Sequence, residues 1–547
     1  LFKQMLKMLS LDFICNYDSL ILKDTKKINK LAFALDMAVA GRSDESVWIR
    51  QAQEIRKQMT DSLIDSAFTY LPEGVKHDEI ELIKRKLKRR RLELEAVASQ
   101  YYRLLQRTPV VAGTNQSDYF LIERQAPDRT ILRIYDPETG DCRLEQQFSG
   151  RETKELWLYG LAGNDTFEVK GNTRKDFPIY LISGEGENQY QLNHNRKIHV
   201  YDKDYKYDYQ KIKYHKISFT PWGIYDSDKG ISLGTFFTYT MYGFKRAPFT
   251  YQHRIGYNYL KGFMYAGVFP NYDGRRRLYL NASISSPRNF ENFFGFGNNT
   301  AGYKEEKKNY NRVKLRTYML NPSFEMDLRK EEVVTFFGSL DMYKAKRTDD
   351  RYIYTVYGED HPIFRTNYFV GLGATYRITK QPYSWLPLLE TEWTAGWKMN
   401  LKKPERNFPY AQGSLSWNVR FSDRFTWASL MKGTVLFDND YEFYQAATID
   451  LRGFRDNRFI GKQSFYQYSD LRLDMGKLKN PFTPLKYGLF AGFDYGRVWF
   501  PGERSHSWHT SYGGGIWLTF LNKFTTKYSW FGSTDSFRFA FELGLGF

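Results

Sequence analysis

Three arrangements of polar side chains in this 547-residue sequence could do chemistry. The first is "LRGFRDNRFIGKQSF", residues 451–465, where Arg452 stands between a leucine and a glycine in a stretch whose composition is that of an exposed loop. Aspartates follow it: Asp470 and Asp474 in "SFYQYSDLRLDM", and Asp494 in "KYGLFAGFDYGRVWF". An arginine folded between such acids makes charge-assisted pairs, and Gly453 permits a tight backbone approach. That chemistry is a latch, fixing one position of the loop more than it adds stability. The second is "SHSWH", with His506 and His509 three apart, which we read as loop or interface because a metal site needs more ligands than two. The third is "LAGNDTFEV", whose Gly-Asn-Asp lacks the histidine of a dimetal phosphoesterase motif. No DxH, GDxxD or GNH(D/E) pattern, nucleophile elbow or P-loop occurs, so no catalytic residue, metal or cofactor is assigned. If an enzyme is present, its catalytic domain is expected outside this chain.

The elements that must position Arg452 are strands. Aromatics reach 18%, with 42 Tyr and 43 Phe, while hydrophobic residues total only 42% and mean hydropathy is −0.59. A membrane β-barrel needs that combination, with aromatic girdles outside and a polar interior. No run approaches the length of an apolar transmembrane helix, a test that barrel strands escape because only every second residue is apolar. The final stretch "SFRFAFELGLGF" alternates throughout: Phe537, Phe539, Phe541, Leu543, Leu545 and Phe547 share one face, and Ser536, Arg538, Ala540, Glu542, Gly544 and Gly546 the other. The same parity turns Leu489, Ala491, Phe493 and Tyr495 toward lipid and Asp494 inward; Leu471, Leu473 and Met475 toward lipid and Asp470, Arg472 and Asp474 inward. A chain ending on an aromatic after such a strand resembles the C-terminal insertion signal of Gram-negative outer-membrane proteins, here Phe539, Phe541 and Phe547.

Three regions follow. Residues 1–107 carry helical spacing, as with Trp48, Ala52, Ile55, Met59, Leu63 and Ala67, and a second helix is predicted through "HDEIELIKRKLKRRRLELEAVASQYYRLLQ". Its basic run, Lys84 to Arg91, is a solvated face with nearby glutamates or a contact for anionic lipid or an acidic partner; nucleic acid is not expected. Residues 108–215 shift to period two in short runs, a small all-β domain. Within it "LAGNDTFEV" and "GEGENQYQL" align Gly163, Asp165, Phe167 and Val169 with Gly186, Asn188, Tyr190 and Leu192 at a period of 23. Calcium-binding β-rolls use such turns, but the second copy has lost its Asp, so glycine-permitted turns are the reading adopted. Residues 216–547, at roughly 20 residues per strand with its loops, predict a transmembrane antiparallel β-barrel of about 16 strands. Cys15 and Cys142 form no disulfide framework. The chain begins with Leu1 and shows no secretory signal, so an upstream portion is expected.

"LRGF" at 451–454 resembles the (V/I)RG(F/Y) motif of the BamA/TamA superfamily of outer-membrane assembly and translocation barrels. "GFDYGRVW" at 492–499 is similar to that family's strand bearing the acid partner of the loop arginine, and "FFGFGN" at 293–298 to an early-barrel motif. The resemblance implies that Leu451, Arg452, Gly453 and Phe454 form the loop motif, with Asp494 the partner of Arg452 and Asp470 a second acid. Asp474 is carried as a third lumen acid pairing with the loop. The departure is in front of the barrel, where no POTRA repeat is visible. A helical block, a β segment with "LAGNDTFEV", and "WHTSYGGGIW" look more like Bacteroidota-type proteins in which this barrel is joined to a calcineurin-like metallophosphoesterase.

The resulting expectation is an outer-membrane barrel of a Gram-negative bacterium that assists insertion or translocation of proteins. It would contact outer-membrane lipid and lipopolysaccharide, client outer-membrane proteins and accessory subunits. The alternatives are a barrel anchor or export module for an upstream metallophosphoesterase, and a passive channel.

Overall fold

A computed structural model describes residues 22, 25–29, 32–71, 77–125, 127–171, 176–192, 197–202, 207, 215–226, 229–244, 246, 248–271, 274–300, 309–348, 350–380, 388–478, 485–520 and 524–545. Cys15, Phe547 and the first turns of the predicted helical block lie outside these. The chain divides into two compact units, residues 1–214 with 242–245, and residues 215–241 with 246–547.

In the first unit the helices differ from the sequence expectation in two places. The stripe Trp48 to Ala67 does not run on one helix: Glu45–Gln58 ends and a new helix, Asp61–Ala67, starts at Thr60, whose side chain accepts the Leu63 N–H at 3.1 Å. That N-cap resets the helical phase, so Ile64 is buried while Ile55, Met59 and Leu63 are exposed. The second predicted helix is likewise two, His77–Leu92 and Leu94–Gln106, meeting at Glu93. Three members of the basic run are paired with acids, Lys84 with Glu81, Lys88 with Asp65 and Arg91 with Asp61.

The β part of this unit is a stack of parallel coils. Val110–Ala112, Leu156–Tyr159, Ile179–Ile182 and Ile198–Tyr201 pair in parallel as one sheet. Tyr119–Gln125, Thr166–Gly171 and Gln189–Leu192 pair in parallel in the other, which also carries the antiparallel strands Arg129–Tyr135 and Cys142–Ser149. The core is Phe120, Ile122, Leu158, Phe167, Val169 and Leu181. The two-copy repeat is therefore three coils. Asp118 and Phe120 occupy the positions of Asp165 and Phe167, but 47 residues upstream rather than 23, because the hairpin at 129–149 is inserted between them.

The repeated residues hold coil to coil. Asp165 Oδ1 accepts the Asp118 N–H at 2.9 Å, and Asn188 Oδ1 accepts the Asp165 N–H at 2.9 Å. Phe120 stacks on Phe167 at 4.5 Å and Phe167 on Tyr190 at 5.7 Å. Gly163 and Gly186 have φ of +105° and +120°, and a Cβ on Gly186 would sit 2.0 Å from the Gly163 carbonyl oxygen, so the turns require glycine. These acids thus act as ladder residues, and among the described residues no group of three or more His, Cys, Asp or Glu is placed to hold a metal.

The second unit is a closed antiparallel barrel of sixteen strands, from His215–Asp226 to Phe537–Leu545, with the three-residue strand Phe290–Asn292 added beside one of them. Hairpin pairing closes it because each strand alternates large apolar with polar or small residues. Ile231, Leu233, Phe263, Leu372, Trp393 and Tyr512 project outward, 58–68% exposed. Inward positions hold cross-strand ion pairs, Arg277 with Glu325, Arg377 with Glu392 and Lys398 with Asp341. An apolar exterior around a charged lumen is the architecture of outer-membrane barrels. Both ends of the barrel chain emerge at the rim of short turns such as 330–331 and 421–424, and the long connections 286–311, 346–366 and 437–462 gather at the other rim.

The ladder makes a prediction about pH. Asp165 is fully buried, its Oδ2 has no hydrogen-bond partner, and burial pushes its carboxyl up to about 7 against the opposing Asp118 N–H. Below the ordinary aspartate range both folded and unfolded chains are protonated there. As pH rises, the unfolded chain releases its proton first, so the coil stack loses stability between about pH 4 and pH 7. Asp165→Asn, which copies Asn188 of the next coil, should remove this dependence. Amide exchange across Thr166–Gly171 at pH 5 to 8, corrected for intrinsic rates, should accelerate with pH in the parent and stay flat in the variant.

Candidate functional site

The connection 437–462 leaves the strand Phe425–Leu436, turns inward and returns to Gln463–Leu478. Its apolar residues Ile449, Leu451, Phe454 and Phe459 form a buried cluster with Tyr466 and Val498 of the wall. That packing carries Arg452 into the lumen, where its side chain is 19% exposed.

Two carboxylates meet it. The Arg452 backbone N–H donates to Asp494 Oδ2 at 3.0 Å, its Nε to Asp494 Oδ1 at 3.1 Å, and Nη2 also bonds Asp494. Nη1 donates to Asp470 Oδ1 at 2.6 Å. The strand register explains the convergence: Asp470 lies opposite Gly492, one inward step from Asp494. A Cβ on Gly492 would fall 2.6 Å from Arg452 Nη2 and 2.8 Å from Asp470 Oδ1, so the glycine is the space that the guanidinium occupies. The ring of Phe531 covers the guanidinium at 3.9 Å, a cation–π contact. Ser511 Oγ donates to Asp494 Oδ2 at 2.8 Å, completing a carboxylate with 0% exposure. Gly453 packs against Ser511 and Gly532, where a Cβ would come within 2.6 Å of Ser511 Cβ.

Asp474 does not join this cluster. It faces inward but lies two inward steps beyond Asp470, at the bulge before Gly476, whose N–H it accepts at 2.8 Å. Alternation assigned its face correctly and its depth wrongly. His509 opens the strand His509–Phe520 and stacks on Phe459 of the loop at 3.5 Å. Phe539 and Phe541 pack with tilted rings on Trp530 and Tyr528 of the preceding strand, each at 5.0 Å.

Several partners of the loop escaped the sequence reading. Arg458 is buried against Phe294 and bonds Asp535 in the last hairpin. Arg538 of the last strand donates to the Phe454 carbonyl, and Ser533 Oγ to the Gly453 carbonyl at 2.7 Å. Lys229, in the first hairpin, pairs with Asp456 at 2.6 Å. "FFGFGN" packs against the loop: Phe293 and Phe294 are fully buried, the Gly297 N–H donates to Ile460 O at 2.8 Å, and Asn298 is held by Glu503. The loop is therefore tied to hairpins on both sides of the place where the barrel closes.

That closure is short. The first strand pairs with the second along all twelve residues of His215–Asp226, but with the last strand only from Gly223↔Leu543 to Asp226↔Ala540. Among the described residues no further pairing joins these two strands, and Pro221, which lacks an N–H, stands just before Gly223 in the first of them.

No family model and no curated protein matches the chain. Among solved structures it is similar to BamA from Haemophilus ducreyi lacking POTRA domains 1-3, at 11% identity and a TM-score of 0.44 over 60% of this chain and 71% of that one. It is also similar to CdiB from Escherichia coli (11%, TM-score 0.39, 60% and 62%) and CdiB from Acinetobacter baumannii (11%, TM-score 0.37, 61% and 66%). The chain spans less than two thirds of either CdiB.

Removing the guanidinium alone should leave a buried carboxylate without its counter-charge. Arg452→Ala is expected to lower the urea stability of the folded barrel by about 3–5 kcal/mol, and the double variant Arg452→Ala/Asp494→Asn by clearly less. Equal losses in the two variants would mean that lost packing, not the unpaired charge, sets the cost.

Proposed function

We propose that this chain is an outer-membrane barrel of the BamA/TamA type that assists insertion or translocation of polypeptide. The observation that carries the reading is the seam between first and last strands, four residue pairs long among the described residues. An edge joined through so short a seam is a template on which an extended client segment can add as a strand. The loop that holds Arg452 also holds both edges of this seam, Lys229 on one side and Asp535 on the other. Withdrawal of the loop would free both hairpins together, which makes the latch a control on opening. The resemblance of its LRGF motif to the loop motif of that superfamily supports the reading.

A second reading, an anchor or export module for a metallophosphoesterase in a Bacteroidota-type fusion, is kept by the coil stack. That stack differs from POTRA modules, which mix two helices with three strands. A dimetal motif set encoded in the same reading frame as this chain would favour the fusion.

The test of the first reading is a reversible staple. With Cys15 and Cys142 replaced by serine, Tyr225→Cys and Phe541→Cys place thiols on directly paired residues across the seam. Oxidation should lower the accumulation of folded outer-membrane clients, and reductant should restore it. Client levels that ignore the staple would rule out a seam that opens.

A further inference from the structure

We infer that the outer wall of the barrel carries a binding site for a phosphorylated glycolipid of the outer leaflet, built by Lys314, Arg316, Lys344 and Lys346. The inference rests on the outer-membrane placement proposed above, but not on the handling of clients. In Arg312–Arg329 the residues Val313, Leu315 and Thr317 are buried, while Lys314, Arg316 and Tyr318 are exposed. In Glu332–Ala345 the buried Tyr343 and Ala345 flank an exposed Lys344. The four cations therefore face outward, on the same side as Leu320 and Leu340.

They are also opposite one another. Arg316 is the register partner of Lys344, and the Lys346 N–H donates to the Lys314 carbonyl at 2.8 Å, which continues the ladder by one more pair. Along a strand the two rows are about 7 Å apart, and across strands their Cβ atoms are about 5 Å apart. Like charges placed directly opposite each other destabilise a sheet. Inside the barrel this chain avoids the problem by pairing cations with acids, as with Arg277 and Glu325. Outside, none of the four has a carboxylate partner among the described residues. Arg347, nearby, is engaged by Glu359 and Asp360. Four clustered cations with no counter-ion among the described residues call for a multivalent anion.

The surroundings identify its class. The cations line a cleft of about 1050 Å³. It shares Ile284 and Tyr318 with an apolar groove of about 390 Å³, lined further along the wall by Ala282, Leu320, Leu340 and Tyr368. A soluble anion has no use for the groove, and an acyl chain has none for the cations. A lipid with phosphates on its headgroup uses both, with phosphates on the cations and chains along Leu320 and Leu340. Depth agrees: the site lies at the rim of long connections, the external rim of outer-membrane barrels, one outward step past Tyr318, where an aromatic belt meets headgroups.

The full chain, purified in mild detergent, would be compared with Lys314→Ala/Arg316→Ala/Lys344→Ala/Lys346→Ala and with the control Arg420→Ala/Arg424→Ala at the opposite rim. Heat-modifiable gel migration checks that each is folded. Native mass spectrometry then measures retention of bisphosphorylated lipid A, dephosphorylated lipid A, phosphatidylglycerol and inorganic phosphate. Expected is a preference for the bisphosphorylated lipid, weakened at least about tenfold in the quadruple variant and unchanged in the control. Equal retention by the quadruple variant, equal binding of phosphatidylglycerol, or binding of phosphate alone would each overturn the site. Absence of the parent chain from the outer-membrane fraction of cells would instead overturn the placement on which it rests.

Discussion

A guanidinium carried inside a barrel cannot be released to water without moving everything attached to it, and Arg452 shows what that constraint organises. Its counter-charges lie on two adjacent strands, Asp470 and Asp494. Two glycines exist to admit it, Gly492 beside the guanidinium and Gly453 against the wall. A buried ion pair of this kind offsets its desolvation only approximately, so its contribution is positional more than energetic. The energy that seats the loop comes from Leu451, Phe454 and Phe459, which are almost fully buried; the charges choose which of many greasy arrangements is adopted.

The positional choice matters because the backbone leaves one job unfinished. In hydrocarbon, unpaired N–H and C=O groups are costly, which is why spanning sheets close on themselves. Among the described residues closure involves four residue pairs, fewer than the nine that join the last two strands. Side chains make up the difference at the external rim, where Asp456 and Arg458 of one loop grip hairpins on opposite sides of the seam. A sheet held shut by a short ladder and a loop has a defined place to part, and the elements that would have to move are already coupled by covalent chain.

What could be read from the sequence follows from what periodicity encodes. Period two reports which face a residue takes, so the inward orientation of Asp470 and Asp494 and the outward one of Phe493 are legible in the sequence. It does not report depth, which is why Asp474 was grouped with acids that lie nearer the opposite rim. Helical spacing likewise carries phase only until a cap resets it, and Thr60 did so between Ile55 and Leu63. The first coil of the β stack was hidden because a hairpin of antiparallel strands interrupts the spacing between Asp118 and Asp165. Contacts made by Arg458, Arg538 and Lys229 had no signal at all, since they join a loop to hairpins that are distant in sequence and share no period.

The same alternation makes charge a measure of position in the membrane. On inward positions the protein can supply the counter-ion from a paired strand, as Glu392 does for Arg377. On outward positions it need not, provided the residue reaches the headgroups. Arg316 sits one outward step beyond Tyr318, and Lys344 two beyond Leu340. An unpaired cation at either depth of Leu320 or Leu340 would face hydrocarbon with nothing to neutralise it, a cost that falls away only near the interface. The boundary between exposed leucines and unpaired lysines on these two strands therefore marks where the bilayer's own anions take over from the chain's carboxylates.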